Sequence, residues 1–100
     1  MNRALVISAR DNVATALEAL DAGTTIRIGD ASVAVVDPIP RGHKIAIRAI
    51  HAGDAVVKYG SAIGTASADI PVGAHVHVHN VASGRGRGDL AARGAPDEPR

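Results

Sequence analysis

"LDAGTTI", residues 20–26, sets a pattern that three later stretches repeat: "IPRGHKI" at 39–45, "IHAGDAV" at 50–56 and "IPVGAHV" at 70–76. All four read aliphatic-x-x-Gly-x-x-aliphatic. The central glycine can take a positive φ without steric cost. Each stretch therefore reads as a tight turn whose flanking aliphatic residues drop into a shared core as the next strand begins. Four such turns between residues 20 and 76 describe a compact, turn-rich β-structure. Their unequal offsets argue against a solenoid, which needs a fixed period.

Composition agrees with a mainly β fold. The chain has 100 residues, one domain's worth, and 46% of them are hydrophobic. These are mostly Ala, Val and Ile; Tyr59 is the only aromatic residue. Such a core is built from small and β-branched side chains that suit pleated strands. Eleven Lys and Arg against ten Asp and Glu leave a formal charge of +1. With no basic stripe and no aromatic platform, nucleic-acid binding is not expected. There is no cysteine, so no disulfide framework or thiolate site. No apolar run approaches the roughly 18 residues of a membrane span, and "MNRALVISAR" is too short and too charged for a signal peptide. A cytoplasmic domain with no membrane partner is the expectation.

Along the chain, "ALVIS" (4–8) has strand length. Asp11 then reads as an N-cap for a short helix over about 12–21, in which Val13, Leu17 and Leu20 recur at helical spacing before Gly23. "TTIRI" and "SVAVV" read as a hairpin around Gly29 and Asp30, and "KYGSAIGTASADI" as a second reversal. The domain is expected to span 1–82. Residues 83–100, with Arg and Gly alternating at first, read as a flexible tail.

Chemistry-bearing residues concentrate in "PVGAHVHVHN" (71–80) and "RGHK" (41–44). On an extended strand His75, His77 and His79 share one face, with Val76 and Val78 toward the core. Neighbouring histidines would stand about 6.6 Å apart and the outer pair about 13 Å. Since metal–nitrogen bonds are roughly 2.0–2.1 Å long, only one His-x-His pair could share an ion. A solvated outer face explains the pattern equally well. His43 and Lys44 follow a turn glycine and could receive a carboxylate, or simply be solvated. Tyr59 reads as core filler with a tethered hydroxyl or as a substrate contact. His51 reads as a surface residue, and no catalytic triad or phosphate loop is visible.

Gly-His-Lys at 42–44, Lys-Tyr-Gly at 58–60, Ile-Gly at 63–64 and His-x-His-Asn at 77–80 occur in one order, followed by "RGRGD". In that combination residues 4–90 resemble the small SAF-type domain of the altronate and galactarate dehydratase family. The resemblance implies a β-clip fold and a hydro-lyase that turns a sugar acid into a 2-keto-3-deoxy acid with a divalent metal, iron or manganese. Because the domain stands alone here, it also implies a large dehydratase subunit as partner, with activity only in the complex; a homo-oligomer is compatible with it. By position, the resemblance assigns catalytic roles to His43, Lys44, His77 and His79, and substrate contacts to Tyr59, Asn80, Arg85 and Arg87. His77 and His79 are its metal candidates, whereas His75 matches no position of the motif. The sulfolactate sulfo-lyase small subunit is similar too. A binding or assembly module without chemistry, and a purely structural domain, are the other readings.

Overall fold

Gly23, Gly42, Gly53 and Gly73 all adopt φ between +84° and +92° in the computed structural model, which describes residues 3–83. The eight aliphatic residues flanking them are at most 2% exposed. The repeated motif is therefore a turn that launches a strand, as its residues dictate.

Among the described residues nine strands follow one another: β1 (Ala4–Leu5), β2 (Val13–Ala16), β3 (Thr25–Ile28), β4 (Ala31–Ala34), β5 (Lys44–Ala46), β6 (Ala55–Lys58), β7 (Ser61–Ala66), β8 (His75–Val76) and β9 (Val81–Ser83). They form an antiparallel sheet of order β1-β2-β5-β8, the hairpin β3-β4, and a three-stranded sheet of order β6-β7-β9. The fold is mainly β, and the expected β-clip of short strands holds.

The four glycine turns come in two pairs. Leu20 bridges Ile39, and Ile50 bridges Ile70. Leu20, Gly23 and Ile26 recur as Ile50, Gly53 and Val56 thirty residues on, while Ile39, Gly42 and Ile45 recur as Ile70, Gly73 and Val76 thirty-one on. The extra residue is a β-bulge: the β6–β7 register shifts by one between Val56 and Val57, which places Ile63 opposite no partner. The backbone bonds repeat in step. Gly23 N donates to Val35 O as Gly53 N does to Ala66 O, and Gly42 N to Ala16 O as Gly73 N does to Ala46 O. The molecule is thus built from two similar halves, each closing a hairpin over its own core. One core gathers Leu20, Ile26, Ile39 and Ile45, and the other Ile50, Val56, Ile70 and Val76.

No helix occurs among the described residues, so the helix expected over 12–21 is corrected. Val13–Ala16 is a strand hydrogen-bonded on both edges, to β1 and to β5. Leu17, meant for the buried face of a helix, is 46% exposed, whereas Ala14 and Ala16 are buried. A ten-residue helix is marginal by itself, and two ladders plus burial of small alanines against the neighbouring strands outweigh it. Asp11 does not cap a helix either. Its carboxylate accepts from Ile7 N, Ser8 N and Gly60 N. Those bonds end β1 early and tie the loop before β2 to the β6–β7 turn. Asn12 adds two more, accepting from Val57 N and donating to Ala55 O.

Both hairpins form with two-residue loops, Gly29–Asp30 and Tyr59–Gly60. β9 pairs with β7 and ends at Ser83, the residue at which the tail was expected to begin. The rest of that tail, with Arg85 and Arg87, lies outside the described residues.

Candidate active site

The strand expected across His75–His79 stops at Val76, and the chain then turns. Asn80 makes the turn. Its Oδ1 accepts from His77 N at 3.0 Å, its Nδ2 donates to His75 O at 2.9 Å, and its backbone N donates to His77 O at 3.1 Å. Val78 is consequently not a core residue but 81% exposed. An extended strand would keep the histidines apart; the turn does not.

Register explains which of them meet. Lys44 stands opposite Val76 and Ile45 opposite His75, so one step further His77 falls beside His43. Their rings stack with centroids 3.9 Å apart. His75, diagonal to His43, places Nε2 2.8 Å from His43 Nδ1, and His79 leans on His75 with centroids 5.0 Å apart. Four imidazoles thus gather at one end of β5 and β8. His43, His75 and His77 each bring a ring nitrogen within 4.8 Å of the other two. This spread is about twice a metal–nitrogen bond of roughly 2.0–2.1 Å.

The electrostatics favour the neutral form of His75 and His77. Burial pushes His75 down from its ordinary value, helped by His79, His43 and His77, with Asp37 opposing. His77 is lowered by burial and then by His43, Lys44 and His79. Neutral imidazoles are the form that ligates a cation. His77 Nδ1 is also buried without a hydrogen-bond partner, an atom that costs free energy until something binds it. The donor set therefore fits a divalent ion. Asp37, which sequence reading did not single out, anchors the cluster by accepting from His75 N at 2.9 Å. Its only signal in sequence is the Asp-Pro turn dipeptide at 37–38.

Of the other sequence candidates, Lys44 leaves β5 on the opposite face from His43, directly across from Thr15. It is partly buried, and burial followed by the Lys58 charge lowers its pKa. Tyr59 is no core filler: it is 40% exposed and donates its hydroxyl to Thr15 Oγ1 at 3.1 Å. Asn80 spends its amide on the turn that delivers His77. His51 is exposed, as expected.

Residues 2–84 match the family model of the altronate/galactarate dehydratase SAF domain. The chain belongs to this family. Among curated proteins it is 45% identical over 80 residues to altronate dehydratase of Bacillus subtilis (strain 168), a match covering 80% of this chain and 16% of that protein. It is 47% identical over 74 residues to altronate dehydratase of Escherichia coli (strain K12), covering 74% of this chain and 15% of that protein. It is also 55% identical over 42 residues to (2R)-sulfolactate sulfo-lyase subunit alpha of Paracoccus pantotrophus, covering 42% of this chain and 63% of that one. The chain thus spans about a sixth of the altronate dehydratases it matches. No helix among the described residues is long and apolar enough to cross a membrane.

Proposed function

We propose that this domain forms one wall of a lyase active site acting on a sugar acid, an altronate-type dehydration giving a 2-keto-3-deoxy acid, with a large partner subunit supplying the rest. The observation that carries this reading is the convergence of His43 from the turn before β5, His75 from β8 and His77 from the turn that follows it. The relatives support it in kind: two are named for dehydration of an acid, and both are several times longer than the matched region.

A divalent cation such as iron or manganese fits the trio His43, His75 and His77 better than the His77–His79 pair, because the turn at Asn80 brings the three nitrogens together. Bound there, it supplies Lewis acidity for the negative charge that builds beside the carboxylate. The elimination also needs a group to take the proton from the carbon next to the carboxylate and one to protonate the departing hydroxide. In this reading His79, exposed and outside the trio, exchanges the proton with bound substrate. Asp37 and Asn80 hold the imidazoles in place through the His75 and His77 backbone.

The test is co-expression with a large dehydratase-type subunit and assay of the complex for 2-keto-3-deoxy acid released from altronate. His43→Ala and His77→Ala should each lower turnover by orders of magnitude, and unchanged turnover in both would reject the reading. A second reading is favoured by the match to the sulfolactate sulfo-lyase subunit alpha, of which this chain covers 63%. It is elimination of sulfite from (2R)-sulfolactate, and sulfite release from the same complex would decide for it.

A further inference from the structure

We propose that a cleft between β1, the β3–β4 hairpin and the end of β5 is the surface on which the large subunit docks, inserting an aliphatic side chain that has a carboxylate beside it. The partner is that of the lyase reading above; the place and the chemistry come from the packing of this domain. The cleft holds about 450 Å³ and is lined by Leu5, Val6, Ile28, Val33 and Ile47, together with the exposed Arg48. That is far above the roughly 30 Å³ share of one water molecule, so the cleft is no packing defect. The two halves of the molecule differ here. In the second half β9 closes the core: Val81 packs on it, so close over β7 that a Cβ on Gly64 would stand 2.7 Å from Val81 Cγ1. Val35 N donates to Thr24 O as Ala66 N does to Asp54 O, which makes β4 the counterpart of β7. Among the described residues β4 pairs with β3 alone. The core of Leu20, Ile26, Ile39 and Ile45 is left with Val6, Ile28 and Ile47 only partly buried, and all three line the cleft. Ile7, between the lining residues Val6 and Ser8, is 64% exposed and extends this apolar surface.

Charge narrows the occupant. Arg48 Nη2 donates to Ala9 O at 2.9 Å, which fixes the guanidinium and leaves its other N–H groups for an acceptor. Among the described residues the only ion pair is Arg3–Glu18, so Arg48 has no acidic partner there. Asp11 also lines the cleft, but its carboxylate is taken by the amides of Ile7, Ser8 and Gly60. The acceptor therefore comes from outside, and a carboxylate suits the planar fork of an arginine. A second copy of this chain fits poorly. Its exposed aliphatic residues with an acid beside them are Leu17 and Val36, and both acids are engaged, Glu18 by Arg3 and Asp37 by His75 N. The matched region is only 16% of the Bacillus subtilis altronate dehydratase, so the greater part of such an enzyme lies outside this domain and provides the chain to cover it. From His43 in the imidazole cluster the chain runs through β5 to Arg48, a span of no more than about 18 Å. A subunit held at Arg48 can thus reach the histidine trio without covering it.

Amide hydrogen exchange of the full chain, alone and co-expressed with a large dehydratase-type subunit, tests this. Segments 4–11 and 27–33 should exchange at least about tenfold more slowly in the complex. Arg48→Glu and Ile7→Ser should each weaken assembly about tenfold while the thermal midpoint of the free chain stays within a few degrees. Unchanged exchange of both segments in an assembled complex overturns the proposal, and so does unchanged affinity of both variants. If either variant fails to fold, the exchange of the wild-type chain decides. Slower exchange of these segments in the isolated chain at rising concentration, with a doubled mass, assigns the cleft to a second copy and overturns the proposal too. Assay of the same complex separates this surface from the lyase reading. Protection without release of 2-keto-3-deoxy acid from altronate rejects that reading and leaves the surface standing, whereas turnover without protection rejects the surface alone.

Discussion

His43 Nδ1 lies 2.8 Å from His75 Nε2, two side chains separated by thirty-two residues of sequence and joined by the β5–β8 register. A single N–H between the facing nitrogens makes the contact a hydrogen bond, one ring donating and the other accepting. Burial and neighbouring imidazoles depress His75 and His77 in the same sense. The unfolded chain takes up these protons near the ordinary histidine value of about 6.5. Between that value and the lower native one the unfolded state binds more protons, so unfolding free energy falls as pH falls. The urea midpoint should hold steady above about pH 7 and decline on acidification through about 6.5. A His75→Gln, His77→Gln double variant should have a flatter profile there, and an unchanged slope would count against the assignment.

Asn80 closes the turn that delivers His77. Asn80→Ala leaves His77 N and His75 O without their partners and should cost about 1–2 kcal/mol, since the site is only partly buried. Mn²⁺ binding should weaken in the same variant, because the His77 ring is no longer held against His43. Denaturant titration and metal titration of one preparation check both.

Gly53 and Gly73 share the turn conformation, with φ +92° and +89°, but not their surroundings. A Cβ at Gly53 meets nothing within 4 Å, whereas one at Gly73 would collide with the Ala34 carbonyl oxygen. Gly53→Ala should therefore cost only the backbone strain, about 1–2 kcal/mol. Gly73→Ala should cost about 3 kcal/mol or more, because the chain crossing at Ala34 must move. Equal losses in chemical denaturation would refute the distinction.

Asp11 is buried, and its carboxylate ties three backbone amides across two segments. Burial by itself would raise its pKa, but the amides of Gly60, Ser8, Ile7 and Tyr59 outweigh it and hold the group below its ordinary value. The unfolded carboxylate takes a proton near 3.8, while the native one resists until lower pH, so this contribution is present above that value and is lost as pH falls below it. Asp11→Ala should destabilise by about 3 kcal/mol and flatten the stability profile in that acid range. Wild-type-like stability at neutral pH would show that the three amides find other partners.

Local chemistry made much of the fold legible. The glycines of the four turns could be read because positive φ is a property of one residue, and the buried aliphatics because strands begin where those turns end. The thirty-residue duplication was present in the same spacing, yet the bulge at Ile63 displaces the last motif, at 70–76, by one position and hides the period. The helix expected over 12–21 failed for a non-local reason: β2 gains both of its ladders from strands that sequence proximity does not reveal. The trio at the site was hidden likewise. An extended His-x-His-x-His keeps its rings apart, and only the hydrogen bonds of Asn80 and the β5–β8 register bring His77 to His43 and give His75 a partner.

By itself the sequence determined a mainly β chain of short strands between glycine turns, and the residue types available for chemistry, since backbone preference and side-chain identity are local. The tertiary structure decided which of those residues meet. Lys44 was sent to one face with Thr15 and Tyr59, and His43, His75 and His77 to the other, because side-chain direction alternates along a strand and partners are set by register between segments far apart in the chain.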